Sequence, residues 1–131
     1  MVIDTSALIA LLLGEPETEK FVSAIAATSR RLISAPSYVE TAIVITARSG
    51  QQGQDALDRL ITCLGIEVVP FARDQAALAV AAYRLYGKGS GHSAQLNFGD
   101  CFSYALAKFE GEPLLFKGND FNHTDLTAAV P

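Results

Sequence analysis

Residues 1–13 read MVIDTSALIALLL. Val2 and Ile3 lead into Asp4, Thr5 and Ser6 follow, and residues 7–13 are apolar without interruption. The pattern predicts a short buried strand over 2–4 that passes directly into a buried helix, with a carboxylate at the junction. A charge desolvated there is costly unless something pairs with it. Asp4 is therefore satisfied either by the first amides of the helix, as a cap, or by a cation.

The same alternation continues outward from this stretch. RLISA (31–35), IEVV (66–69) and PLLF (113–116) read as further short buried strands, and TAAV (127–130) as a weak fifth. Between them lie helical patterns. PETEKFVSAIAATS carries Phe21, Val22, Ile25 and Ala26 behind the acids Glu15, Glu17 and Glu19, which suit the positive end of a helix dipole. SYVETAIVITARSG stops at Gly50, and QDALDRLITCLG is amphipathic through Leu57, Leu60, Ile61 and Leu64. DQAALAVAAYRLYG and FGDCFSYALAKFEG each close on a glycine. Strand followed by helix, repeated, predicts an α/β fold whose parallel sheet is covered on both faces. The one obvious loop is GKGSGHSAQLN (87–97), whose glycines argue against a packed core there and whose position before the FGD helix would let it cover a site or contact a substrate.

At 131 residues, half of them apolar, the chain has the length for one buried core, so residues 1–131 are expected to form a single domain. No apolar run approaches the roughly 20 residues that span a bilayer, and no basic segment precedes the first one, which favours a cytoplasmic protein with no membrane association. Cys63 and Cys101 have no CxxC or Cys/His spacing around them and are expected to be reduced, buried thiols. The net charge of −4 argues against a general polyanion binder, although it does not say where the charges sit. It leaves room for a local phosphate site where acids gather around divalent cations.

In open α/β sheets, ligands bind beyond the carboxyl ends of the strands. Asp4 ends the first strand, Glu40 and Asp100 lie in first turns of helices, and Asp120 follows PLLF after the short turn KGN. Each has a local explanation: Asp4 as a cap, Ser37 to Glu40 as an S-x-x-E capping box, Asn97 to Asp100 as a helix start, Asn119 and Asp120 as a turn. Independent capping does not require the acids to meet at one edge. A divalent-cation site does, because hard ions take oxygen ligands.

The order and spacing of IDTSALIA, SYVETA, FGDCFSYALA and LLFKGNDF resemble the PIN domain ribonucleases, and among them the VapC toxins of bacterial toxin–antitoxin pairs. The resemblance runs over nearly the whole chain. It implies a three-layer α/β/α domain around a parallel sheet of four or five strands, and a metal-dependent endoribonuclease using Mg²⁺ or Mn²⁺. Its acidic quartet falls on Asp4, Glu40, Asp100 and Asp120, with Asp4 and Asp100 as principal metal ligands. Glu40 and Asp120 would hold the ion through waters, fill a second site or orient the attacking water. It further implies RNA as substrate, a VapB-type antitoxin as partner and a homodimer.

Ser6 and Thr5 are candidates for buttressing the site or contacting substrate, and Lys117 for meeting a phosphate. Arg84 and Lys88 read as solvent-facing, His92 and His123 as surface or loop histidines, and Asp125 as part of a helix or strand edge. Two other functions fit the same outline. A phosphatase of the haloacid-dehalogenase type would use the aspartate after the first strand as nucleophile, but wants a second aspartate two positions later, where this chain has Ser6. A noncatalytic protein-binding α/β module would need the acids only as caps.

Overall fold

A computed structural model describes all of residues 1–131. In chain order the elements are β1 (Val2–Ile3), α1 (Thr5–Leu12), α2 (Thr18–Ala26), β2 (Leu32–Ser34), α3 (Ala35–Cys63), β3 (Glu67–Val69), α4 (Arg73–Tyr86), α5 (Asp100–Glu110) and β4 (Leu114–Leu115). The strands form one parallel sheet in the order β3-β2-β1-β4.

The period of two along each strand builds the two cores. Val2, Leu32 and Leu114 are paired in register and face α4 and α5, packing with Ala79, Ala82, Tyr86, Tyr104 and Leu106. Ile3, Ile33 and Leu115 face the other way, onto Leu8 of α1, Phe21 and Ile25 of α2, and Ile45 and Leu57 of α3. The result is the three-layer α/β/α arrangement expected from the sequence. The fifth strand is reduced to a bridge between Leu114 and Ala128, held by Leu114 N–H donating to Thr127 O and Ala129 N–H donating to Leu114 O.

Gly50 does more than end a helix. Within α3 its φ of 59° and ψ of −147° interrupt the helix, in a region that favours glycine. The chain reverses there, because Tyr38 Oη donates to Asp58 Oδ1 at 2.6 Å. In a straight helix, side chains that far apart in sequence would be separated by about 30 Å. Gly53 lets the two arms touch: a Cβ at this position would lie 2.6 Å from Ile45 O.

Several expectations are corrected. β3 is an exposed edge strand rather than a buried one, since Glu67 and Val68 face solvent. Val22 and Ala26 lie on the exposed side of α2, leaving Phe21 and Ile25 to anchor it. Of the three acids before that helix only Glu19 is in its first turn. Cys63 is exposed at the end of α3, while Cys101 is buried. The 87–97 loop is not free of the core: Leu96 is fully buried and pairs with Gly87, and Ala94 is buried beside it. His92 is drawn in with them, its Nδ1 accepting from Ala94 N–H at 3.1 Å and its ring edge-on to Tyr86.

Candidate active site

The parallel strands β1, β2 and β4 end on the same edge and are followed by Asp4, Glu40 and Asp120, while Asp100 opens α5, the helix before β4. Asp4 sits between β1 and α1 and is only 4 % exposed. It caps α1 with one oxygen: Ser6 N–H and Ser6 Oγ donate to Asp4 Oδ2 at 2.9 and 2.6 Å. Its other oxygen, Oδ1, accepts from Ser103 Oγ of α5 at 2.5 Å. Capping and site formation are therefore divided between the two oxygens of one carboxylate.

Asp100 opens α5 in a reciprocal cap with Asn97. Asn97 N–H donates to Asp100 Oδ2 and Asp100 N–H donates to Asn97 Oδ1, both at 2.9 Å. Burial pushes the Asp100 carboxyl up to about 7, against the Asn97 bond that lowers it, and the charges of Asp4, Asp120 and Glu40 push it further the same way. Glu40 lies in α3 one turn past Pro36, with Thr5 Oγ1 donating to its Oε2 at 3.1 Å. Its pKa is raised, chiefly by burial and also by Asp4, while the Thr5 bond opposes the rise. Asp120 is exposed on the turn after β4.

The four acids differ in exposure: Asp4 and Asp100 are buried, Glu40 is half-buried and Asp120 is exposed. No three histidine, cysteine, aspartate or glutamate side chains are gathered closely enough to hold a metal ion among them.

Thr5 and Ser6 both touch acids of the pocket. Thr5 Oγ1 also lies 3.2 Å from Ser37 O, and Ser6 Oγ accepts from Lys117 N–H at 3.0 Å. The Lys117 ammonium is directed elsewhere, pairing with Glu15 and with Glu17 on the α1–α2 connection. That ion pair raises the Lys117 pKa. The Ser37–Glu40 capping box does not form, because α3 begins two residues earlier with Pro36 in its first turn. Asp125 is bound by Tyr104 Oη at 2.7 Å and Lys108 Nζ at 2.8 Å, which fastens the C-terminal segment to α5.

The PIN domain profile matches residues 1–126. Ribonuclease VapC30 of Mycobacterium tuberculosis is 55% identical over 132 residues, covering 100% of both chains. The chain belongs to the PIN domain family, among its VapC ribonucleases. Two solved structures share the VapC fold with it at low identity. Mycobacterium tuberculosis VapC20, described as a toxin that cleaves the sarcin-ricin loop, superposes with a TM-score of 0.77 at 19% identity, covering 99% of this chain and 98% of its own. VapBC2 from Rickettsia felis, bound to a DNA fragment from its promoter, gives 0.75 at 15% identity over 97% and 95%. No helix is long and apolar enough to cross a membrane.

Three residues beside the four acids are not assigned to the site by the sequence, where Ser37 reads only as a cap. Ser103 and Ser37 are both fully buried, with their Oγ atoms 3.2 Å apart. Gly99 lies directly under the Glu40 carboxylate. For Ser103 a signal existed: it is one helical turn from Asp100 and so shares its face. Glu40 and Gly99 also border an apolar groove of about 520 Å³, lined by Pro36, Val39, Ile43, Val44, Phe98 and Phe102.

Proposed function

We propose that this VapC ribonuclease hydrolyses RNA phosphodiester bonds with water at the Asp4–Glu40–Asp100–Asp120 pocket, assisted by Mg²⁺ or Mn²⁺. The observation that carries the reading is geometric: Asp4 is buried at the end of β1 and held by Ser6 and by Ser103 of α5, Thr5 beside it donates to Glu40, and buried Asp100 lies one helical turn from Ser103, where burial and the other acids raise its pKa. Such crowding is unfavourable in the bare protein and is relieved by a cation. The donor set is oxygen throughout, which fits a hard ion, and an incomplete protein cage suits one that keeps several of its own waters. When bound, the ion lowers the pKa of water and offsets charge developing on the phosphoryl oxygens.

The chain's own groups supply orientation. Asp4 is held from both sides by Ser6 and Ser103, so its free electron pair points in a fixed direction. Asp100 is fixed by Asn97, and burial beside the other acids raises its pKa. Glu40 keeps Oε2 on Thr5 and is the acid suited to align or deprotonate the attacking water through Oε1. Asp120, exposed on the turn after β4, is suited to contact the ion through water. Ser6 and Thr5 act through the acids they hold, and Lys117 acts through its backbone amide on Ser6.

The reading takes residues 1–131 as one catalytic domain. A VapB-type antitoxin partner is part of it, supported by the apolar groove that ends at Glu40 and by the fold shared with the VapBC2 complex. Formation of a homodimer belongs to the same proposal. The test is mapping of cellular RNA ends after brief expression of the wild-type chain beside Asp4→Ala. New ends confined to the wild type support hydrolysis at this pocket; the same ends in both remove it.

A further inference from the structure

An ionised carboxylate has about four lone-pair positions. At Asp4 the partners of three can be counted. Oδ2 accepts twice from Ser6, at 2.9 Å from N–H and 2.6 Å from Oγ, and Oδ1 accepts once from Ser103 Oγ at 2.5 Å. Hydroxyl directions follow from this count, because each serine has a single proton. Ser6 Oγ accepts from Lys117 N–H, consistent with its proton lying on Asp4. The Ser103 proton also lies on Asp4, so in the 3.2 Å contact between Ser37 Oγ and Ser103 Oγ it is Ser37 that donates. Ser37 and Ser103 are fully buried, leaving no water to compete for these bonds. The wiring runs from α3 through α5 to the end of β1, joining residues 99 apart in sequence.

We propose that Ser103, braced by Ser37, is a positioning residue that fixes the Asp4 carboxylate with one open lone pair, on Oδ1, so that with Oδ2 filled by Ser6 it is held as a one-oxygen ligand, which favours Mg²⁺ over Ca²⁺. Mg²⁺ demands near-octahedral geometry with single-oxygen ligation, whereas Ca²⁺ accepts two-oxygen carboxylates and irregular shells. Removing the Ser103 hydroxyl leaves the carboxylate held only at Oδ2 by Ser6, so it can turn and accept the irregular shells that suit Ca²⁺. The inference rests on the cation reading given above.

The test is calorimetric titration of the RNA-free protein with MgCl2 and, separately, CaCl2, for the wild type, Ser103→Ala, Ser103→Thr, Ser37→Ala and Asp100→Asn. Loss of a hydrogen bond behind a metal ligand typically weakens binding by about tenfold or more. Ser103→Ala is expected to lose about tenfold in Mg²⁺ affinity while Ca²⁺ affinity holds or rises. Ser103→Thr, which keeps the hydroxyl, restores the preference, and Ser37→Ala, which keeps the bond to Asp4 but frees Ser103 to rotate, falls between. Equal losses for both ions in Ser103→Ala, or no loss, overturn the inference while leaving the cation reading intact. A wild type that takes up neither ion in a manner sensitive to Asp100→Asn overturns both.

Discussion

Gly99 stands against the carboxylate of Glu40: a Cβ added at residue 99 would meet Glu40 Oε2 at 2.5 Å and Oε1 at 2.7 Å. The backbone of Gly99 is ordinary right-handed helix, φ −63° and ψ −38°, so alanine fits the local conformation. Only the acid is in the way. Because the end of a flexible side chain can move aside, Gly99→Ala is expected to cost less than about 1 kcal/mol of stability while displacing Glu40. Displacement of a reacting group by an ångström lowers rates by on the order of 100-fold. A melting curve beside an RNA cleavage rate measures both; a variant that cuts as fast as the wild type would show that the position of Glu40 is immaterial.

The metal-free protein is predicted to become less stable as pH rises. Asp100 holds its proton more tightly in the folded chain, up to about 7, than its ordinary value of 3.8. An acid raised on folding favours the folded state at low pH. That stabilisation is present below the unfolded value and is lost between about 4 and 7 as the unfolded chain gives up the proton first. The upward shift of Glu40 acts in the same direction. Melting temperatures in EDTA should therefore fall from pH 5 to pH 7.5, and Asp100→Asn should flatten the slope. Excess Mg²⁺, binding only the folded form, should recover the loss at pH 7.5.

Lys117 is predicted to matter less to substrate than its place in the sequence suggests. Its ammonium is paired with Glu15 and Glu17, and exposed pairs of this kind contribute about 0–1 kcal/mol. Lys117→Met should lower stability within that range and leave KM for RNA nearly unchanged. Steady-state kinetics that show a marked rise in KM would place the lysine on the substrate.

The reversal at Gly50 makes a prediction away from the pocket. Gly53→Ala would drive a methyl group into Ile45 O, a backbone atom that cannot move aside without parting the two arms of α3. Overpacking of this sort costs about 1–3 kcal/mol. Chemical denaturation should show that loss, with cleavage per folded molecule close to normal, since neither residue touches the four acids.

What the sequence made legible was local or periodic. The strand-to-helix junction at Asp4, the alternation that sends Val2 and Ile3 to opposite cores, and the stop at Gly111, whose φ is 66°, each follow from a few neighbouring residues. What it hid depends on distant partners. IEVV reads as buried until the sheet order makes β3 an edge, with Val68 exposed. Ser103 reads as a neutral helix residue, because its two partners come from α3 and from the end of β1. The glycines of the 87–97 loop suggest an open excursion, yet Leu96 carries enough apolar surface to pull the far end back into the core. Lys117 reads as a free cation only because Glu15 and Glu17 are remote in the chain.

The most direct test of the central claim is cleavage of a synthetic RNA by the purified chain and by Asp100→Asn, each in Mg²⁺ and in EDTA, with melting temperatures measured alongside. Asn keeps the size of the side chain and removes the charge that crowds against Asp4, Glu40 and Asp120. We predict rapid cleavage only by the wild type in Mg²⁺, with a variant that is folded and inactive. Equal cleavage by a folded Asp100→Asn, or wild-type cleavage undiminished in EDTA, would contradict it.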